Sequence, residues 1–389
     1  MEAFADTIAG TTVDLYPKLH SRRASAAVHR KGGPAEGPGT YIAYTYDEGV
    51  QVLRDAETFS STVVREMYEA VMGKDVIVGM DEPEHGRHRA LVSPAFRPRV
   101  LARWEDELVA IVVDELLDGL AGPARSTDLV RDLTGQFPVR VIARILGLPD
   151  GDHDRFLAWG MAIINVAADW SRGVDASAQL VGYLDSLIEE RRREPRDDLL
   201  SDLATSEIDG ERLRDEEIHS FVQLLLPAGV ETTYRSSGSL LFGLLTNPDQ
   251  MALLRGDPSL GAQAVEEALR WEPPVLITTR VSTRDVELAG VAIPAGSRVI
   301  VHLGAANRDP SRWVDPDRFD IARELRPNLA FGFGPHVCLG MHLARMETSV
   351  ALNGLLDRLP NLRLDPEGDD PHVTGMTFRS PTSLPVLFG

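Results

Sequence analysis

The sequence contains a single cysteine, Cys338, and its neighbours favour a chemical role for the sulfur. One thiol has no second cysteine with which to form an intramolecular disulfide or a multi-cysteine metal site. Gly332, Gly334 and Gly340 surround it, and glycine allows positive φ angles and a close approach of the backbone to a flat group. Phe331 adds a ring that can pack against the same group. The run therefore favours a loop that presents the sulfur as a single-atom ligand to a flat group such as a haem, and the alternative is a glycine-rich turn with a buried cysteine.

Phe331, Gly334, Cys338 and Gly340 have the spacing Phe-x-x-Gly-x-x-x-Cys-x-Gly. This pattern resembles the haem-binding loop of the cytochrome P450 superfamily, in its soluble bacterial form. The resemblance implies haem b as the cofactor, with Cys338 as the axial ligand of the iron. It extends from about Gly39 to the C-terminus.

The family resemblance also implies a fold class. We expect a mainly α structure with small β-sheets (α+β), in which a triangular helical body contains a long kinked helix across the distal face of the haem. A single domain is expected over residues 1–389, with a variable N-terminal segment at 1–38 and the haem-thiolate core at 39–389.

Composition limits the classes of partner. The chain has 389 residues, of which 43% are hydrophobic and 25% charged, which is enough for one large core. A formal net charge of -19 argues against nucleic acid or an anionic membrane surface as the main partner. The segment from Met1 to Arg23 has neither a signal-peptide core nor an apolar run of spanning length. We therefore expect a cytoplasmic protein without a membrane segment.

A long helix is predicted from about Glu216 to Leu245, with Asp215 as its N-cap and Asn247-Pro248 as its end. At 1.5 Å per residue such a helix is roughly 45 Å long. Its middle, 227–233, contains proline, glycine and two threonines, which distort a helix and open a groove beside it. Taken alone, this stretch fits a kinked core helix equally well.

The same stretch resembles the Ala-Gly-x-Glu/Asp-Thr-Thr segment of the P450 monooxygenases. By this resemblance Ala228 and Gly229 lie against the haem and leave room for dioxygen. Thr232 and Glu231 are then the catalytic pair that hydrogen-bonds the reacting oxygen and relays protons to it. An acid beside an alcohol suits such proton delivery.

Glu267 and Arg270 share a helix face at positions i and i+3. By itself this spacing is typical of a surface ion pair. Its place between the long helix and Cys338 resembles the family's Glu-x-x-Arg motif, and 316–319 resembles the later segment that supplies a further arginine. The resemblance assigns Glu267, Arg270 and Arg318 to a structural network.

Haem propionates require cationic or hydrogen-bonding partners once they leave water. His85 and Arg89 resemble the family's His-x-x-x-Arg helix. Arg280 and His336 occupy positions that usually meet the propionates as well. A metal site made from His85 and His88 lacks a nearby third ligand, so His88 is expected at the helix surface.

The remaining motifs concern electron supply. The sequence has no phosphate-binding loop, no zinc-protease motif, no Ser-nucleophile elbow and no dinucleotide-binding Gly-x-Gly-x-x-Gly. Electrons are therefore expected from a ferredoxin or flavodoxin with its reductase. Arg87, Arg97, Arg99 and Arg345 could make the docking face basic, or could be ordinary solvated charges.

The resemblance predicts a monooxygenase that inserts one atom of O2 into a C–H bond of an apolar small molecule such as a terpenoid, steroid, fatty acid or polyketide. Two alternatives are a peroxide-driven haem-thiolate peroxygenase and a non-catalytic haem sensor. Candidates for the substrate pocket are aliphatic or flexible side chains that core packing explains equally well. They are Val63, Met67, Met72, Ile77, Ile164, Leu225, Ala228, Val275, Ile277 and Met376.

Local patterns predict further elements. Helical patterns cover 47–53, 138–148 and 176–193, and a further one runs from Trp104 through Leu116 in a segment that ends near Gly122-Pro123. Strands are expected at 39–45, 286–288, 291–293 and 297–301.

Overall fold

The computed structural model describes residues 14–32, 37–120, 125–164, 166, 169–208 and 210–389. The α-helices in this part of the chain are α1 Tyr16–Ser25, α2 Tyr46–Arg54, α3 Thr62–Met72, α4 Glu84–Val92, α5 Pro98–Trp104, α6 Ala110–Leu120, α7 Phe137–Ile145, α8 His153–Ile164, α9 Trp170–Arg193, α10 Leu199–Thr205, α11 Asp215–Thr246, α12 Pro248–Gly256, α13 Gly261–Trp271, α14 Leu303–Ala306 and α15 Met341–Arg358.

The strands are short. They are β1 Val28–Arg30, β2 Thr40–Ala43, β3 Phe59–Ser60, β4 Ser126–Asp128, β5 Glu207–Ile208, β6 Glu211–Arg212, β7 Ile277–Ser282, β8 Val286–Leu288, β9 Val291–Ile293, β10 Arg298–His302, β11 Arg363–Leu364, β12 Val373–Thr374, β13 Ser380–Pro381 and β14 Pro385–Leu387. The mainly helical fold with small sheets is thus confirmed.

Helix α11 forms the centre of the molecule. It has 32 residues, which corresponds to about 48 Å, and it packs against α7, α13 and α15. Pro227 lies inside the helix without ending it. The N-cap is Arg214 and not Asp215, because the Glu217 carboxylate accepts the Arg214 backbone N–H at 2.7 Å and fixes the helix start one residue earlier.

The largest sheet joins distant parts of the chain in the order β1-β2-β10-β7-β3. Strand β2 pairs in parallel with β10, while β10 pairs antiparallel with β7. Residues 14–30 of the N-terminal segment belong to the fold, since β1 pairs with β2 and the Tyr16 hydroxyl donates to Glu272 at 2.8 Å. The single-domain assignment with its boundary at 38 stays a prediction.

Most predicted elements are present. The hairpin β8–β9 has the predicted bounds, and α2, α7, β2 and β10 lie within a few residues of theirs. Helix α9 ends at the predicted residue but begins at Trp170, earlier than the predicted 176. The segment from Trp104 differs, because a π-helical turn at Glu105–Val109 separates α5 from α6. Its predicted end at 122–123 lies outside the described residues. Among the helices of the described residues, none is both long and apolar enough to span a membrane.

Candidate active site

The cysteine loop is held by its own backbone between β10 and α15. The Cys338 N–H donates to the Phe331 carbonyl at 2.9 Å, and a 3-10 turn covers Gly334–His336. Gly332 and Gly334 have φ angles of 71° and 72°, which side-chain-bearing residues rarely adopt. A Cβ on Gly334 would also lie 2.4 Å from the Leu53 carbonyl oxygen. The loop conformation therefore requires glycine at these two positions.

Gly340 does not have the positive φ angle that was expected for all three glycines of the loop. Its φ is −84°, so it needs no positive-φ conformation, and it is the N-cap of α15. A Cβ at Gly340 would meet no protein atom within 4 Å. Gly340 lines the same cavity as Cys338 and Phe331, so its missing side chain leaves space on the proximal side.

The Cys338 thiol faces this cavity. Its side chain is accessible from the cavity, yet the surrounding protein raises the pKa of the thiol. The Gly340 N–H and the charges of Arg89 and Arg345 act in the opposite direction. A metal ion at the sulfur would outweigh the burial, since coordination deprotonates a thiol.

Helix α11 forms the opposite wall. Ala228, Gly229 and Thr232 all line the cavity, so the structure brings them together with Cys338. The Thr232 hydroxyl donates to the Ala228 carbonyl at 2.5 Å, which ties it to its own helix. The back of Gly229 is close to α7, because a Cβ there would lie 2.9 Å from Cδ1 of Ile142.

Glu231 is placed differently from its neighbour Thr232. It is buried, with 4% of its surface exposed, and it does not line the cavity. Its carboxylate forms an ion pair with Arg235, whose Nε donates to Oε1 at 2.6 Å. The two residues of the predicted catalytic pair therefore face different surroundings.

Four cationic or imidazole groups meet at one edge of the cavity, namely His85, Arg89, Arg280 and His336. The rings of His85 and His336 have centroids 4.0 Å apart. Burial lowers the pKa of Arg280 to about 10, and burial with these neighbours lowers the pKa of His336 to about 3. Within the described parts of the chain no carboxylate forms a salt bridge with Arg89 or Arg280, whereas His85 contacts Glu82 at 3.0 Å. The guanidinium groups of Arg89 and Arg280 therefore make this edge of the cavity suitable for binding an anion.

These features together fit a haem group. The cavity has one sulfur ligand on its proximal wall, a small-residue helix segment on its distal wall and a cationic edge for two propionates. His88 takes no part, because its Nε2 lies 3.0 Å from a Glu217 carboxylate oxygen; it is buried and not at the helix surface as expected. Among the described residues, no group of three or more His, Cys, Asp or Glu side chains is arranged to hold a metal ion.

Comparison with known families decides the assignment. The family model described as cytochrome P450 matches residues 151–257 and 260–383. The chain belongs to the cytochrome P450 family. This P450 is therefore a haem-thiolate monooxygenase that acts on apolar small molecules.

Known P450 proteins match this chain over most of its length. The cytochrome P450 monooxygenase PikC of Streptomyces venezuelae is 39% identical over 363 residues, covering 90% of this P450 and 85% of PikC. The vitamin D(3) 25-hydroxylase of Pseudonocardia autotrophica is 43% identical over 319 residues, covering 81% and 78% of the two chains. The structure of CYP109E1 from Bacillus megaterium in complex with testosterone matches with a TM-score of 0.88 and 31% identity, over 97% of this P450 and 99% of that chain.

The structural network contains a different third arginine. Arg270 donates to both carboxylate oxygens of Glu267 at 2.7 and 2.8 Å, and the pair is buried. Arg323 completes it at 3.2 Å from Glu267. The assignment of Arg318 was wrong in its chemistry, because the side chain of Arg318 is exposed and only its carbonyl accepts from Arg270.

The predicted pocket residues separate into two groups. Ile77, Leu225, Ala228 and Val275 line the cavity. Five others do not line it, and the prediction is corrected for them. Val63 and Met72 are buried elsewhere, Met67 and Met376 are 38% and 37% exposed, and Ile277 packs beside Leu276. The side chain of Ile164 lies outside the described part of the structure.

Sequence reasoning missed Glu347 on α15. It lines the cavity with 1% of its surface exposed, and its Oε1 has no hydrogen-bond partner. Burial raises the pKa of this carboxyl well above its ordinary value, although a hydrogen bond from Thr233 opposes the shift. A signal existed in the sequence, since Leu343, Glu347, Ala351 and Leu355 form one stripe at i+4 spacing with a single acid in it.

Proposed function

We propose that this P450 holds haem b through Cys338 and hydroxylates or epoxidises a sizeable apolar molecule with one atom of O2. The observation that carries the proposal is the cavity with the Cys338 thiol on one wall and Ala228, Gly229 and Thr232 on the other. When bound, the haem supplies the oxygen-activating chemistry, which a thiolate ligand promotes by donating electron density.

The protein residues have separate tasks in this proposal. Cys338 holds the cofactor from the proximal side, and His85, Arg89, Arg280 and His336 neutralise its propionates. Thr232 places a hydroxyl on the distal wall, where it can donate a hydrogen bond after leaving the Ala228 carbonyl. Glu231 is the proposed source of protons for this hydroxyl, one position earlier on α11.

The distal cavity favours an apolar substrate. Its wall consists mainly of aliphatic and aromatic side chains, among them Ile77, Val78, Ile142, Phe221, Leu224, Leu225, Val275 and Leu303. Such a wall excludes water and binds by surface burial. The substrate classes named by relatives, a vitamin D in one case and testosterone in another, agree with a terpenoid, steroid, fatty acyl chain or polyketide here.

Electrons come from a separate ferredoxin or flavodoxin with its reductase, in the cytoplasm where the lone thiol stays reduced. Arg97 and Arg99 support this proposal, since both are exposed and neither forms an ion pair within the described residues. Arg87 forms an ion pair with Glu217 at 3.0 Å, and Arg345 contacts the Glu266 carboxylate at 3.2 Å.

We expect the double variant Arg97→Glu with Arg99→Glu to be reduced more slowly by a ferredoxin in stopped-flow measurements, and the slowing should be larger at low salt. Equal slowing at all salt concentrations would contradict charge-based docking.

The first test of the function is the difference spectrum of the reduced protein with carbon monoxide. The strongly red-shifted Soret band of thiolate ligation is expected in the wild type and is lost in Cys338→Ser. A histidine-type spectrum that is unchanged in Cys338→Ser would refute the proposal. Product formation with NADPH and redox partners, but little with peroxide, then separates a monooxygenase from a peroxygenase.

A further inference from the structure

Arg235 lies one helical turn after Glu231 and binds its carboxylate. Both Nε and one terminal nitrogen of the guanidinium contact Oε1 of Glu231, the former at 2.6 Å. The Glu231 side chain is 6% exposed and that of Arg235 is 17% exposed, so water screens the pair only weakly. The carboxylate therefore has one strongly preferred position.

This position lies outside the cavity that Thr232 lines. Successive residues of an α-helix project about 100° apart, so a residue beside Thr232 does not automatically share its direction. Thr232 lines the cavity and Glu231 does not. The ion pair with Arg235 thus determines the resting position of the Glu231 carboxylate, from which a proton would pass to Thr232.

Arg235 also contacts the β12–β13 hairpin. Its second terminal nitrogen donates to the Ser380 hydroxyl at 3.1 Å, and its guanidinium lies 5.7 Å from the ring centroid of Phe378. The Ser380 hydroxyl is in turn 3.4 Å from the Tyr234 hydroxyl. One guanidinium therefore touches the acid and the hairpin together.

The hairpin continues to the cavity wall. The Leu276 N–H donates to the Thr377 carbonyl at 2.7 Å, and the Arg379 N–H donates to the Pro274 carbonyl at 3.1 Å. Val275, between these two contacts, lines the cavity together with Pro274. Backbone hydrogen bonds thus connect the wall to the strand that carries Ser380.

We infer that Arg235 is a positioning residue for the proton relay, which fixes the Glu231 carboxylate and links it to the β12–β13 hairpin beside the substrate cavity. This inference rests on the proposed role of Glu231. A molecule that presses on Val275 displaces the hairpin, and Arg235 transmits that displacement to the acid. Proton delivery is in this way coupled to occupation of the cavity.

The first test measures amide hydrogen exchange of residues 373–381 in the haem-loaded protein. We expect Glu231→Gln and Arg235→Gln each to speed this exchange about fivefold, since each breaks the same link. The double variant should show no further increase. Arg193→Gln, which breaks an exposed i,i+4 pair with Glu189, is the matched control and should leave the hairpin unchanged. If Arg235→Gln speeds exchange but Glu231→Gln does not, the acid and hairpin are not linked and the inference fails.

The second test uses the reaction without substrate. With NADPH, a surrogate ferredoxin and its reductase, O2 is reduced either to hydrogen peroxide, using one NADPH and one proton, or to two water molecules, using two NADPH and two protons. Failure to deliver protons raises the yield of peroxide per NADPH. We expect about a twofold increase in Arg235→Gln, a value nearer the wild type in Arg235→Lys, and no change in Arg193→Gln.

The peroxide yields distinguish failure of the proposed Glu231 relay from failure of the positioning role of Arg235. If Glu231→Gln itself leaves the peroxide yield unchanged, the proposed relay fails and the inference falls with it. If Glu231→Gln raises the yield and Arg235→Gln does not, the relay stands and only the positioning role of Arg235 is refuted.

Discussion

Replacing Glu347 by glutamine should change how the stability of this P450 depends on pH. The carboxyl is 1% exposed and its pKa is raised well above 4.5 by burial. Between pH 4.5 and the raised value, the folded chain keeps a proton on Glu347 that the unfolded chain has released. The free energy of unfolding therefore falls by about 1.4 kcal/mol per pH unit from this group alone.

The glutamine variant lacks this loss because an amide does not titrate. The stability contributed by the raised pKa is fully present below pH 4.5 and disappears as the pH rises through the folded-state value. For each pH unit within this window the variant should gain about 1.4 kcal/mol relative to the wild type. Exchanging the acid for an amide can also change the free energy of unfolding by a constant amount, but this does not affect how that free energy changes with pH.

The assay is urea denaturation of the haem-loaded proteins at half-unit steps from pH 5 to 8. The comparison of interest is the difference between variant and wild type, because all other titrating groups are common to both. Glu66→Gln, an exposed change on α3, serves as the control with a small difference throughout. A Glu347→Gln difference that stays constant across this range would refute the reasoning that burial keeps the carboxyl protonated.

Two further predictions compare neighbouring positions. Arg323→Ala should lower the free energy of unfolding by about 3 kcal/mol, because it leaves the buried Glu267 with one partner fewer. Arg318→Ala should stay within about 0.5 kcal/mol in the same denaturation assay, and the reverse order would contradict the network. Gly334→Ala should destabilise even the haem-free chain by about 2 kcal/mol, since its φ is 72° and its Cβ would meet Leu53. Gly340→Ala should leave the stability of the haem-free chain nearly unchanged and reduce only the haem absorbance per protein. If the two alanine variants destabilise the haem-free chain equally, Gly334 and Gly340 do not have these separate roles.

The sequence was most informative where the signal is local. The bounds of β8 and β9 follow from alternation around a tight turn, and those of α11 follow from an apolar pattern that ends at Asn247-Pro248. The loop around Cys338 was readable for the same reason, because glycine and proline restrict the backbone directly. The N-cap of α11 was misplaced by one residue, since the Glu217 carboxylate accepts the backbone N–H of Arg214 and the helix begins at Asp215.

Long-range partners were less accessible. Whether an arginine meets Glu267 depends on the path of the chain through 314–323, and there Arg323 turns inward while Arg318 turns outward. Aliphatic character also does not distinguish a cavity wall from a core, which is why Met72 and Val275 looked alike in the sequence. The burial of Glu347 likewise becomes evident only when α15 packs against α11.

The parallel pairing of β2 with β10 has a consequence for the order of events during synthesis. Gly39 and Ser297, at the start of this pairing, are hydrogen-bonded across 258 residues. At 5–20 residues per second, the ribosome needs roughly 13 to 50 s to deliver the partner strand. Until then the edge of β2 remains open to other chains. Cys338 follows β10 within 40 residues, so the sheet can close only shortly before the haem loop is synthesised.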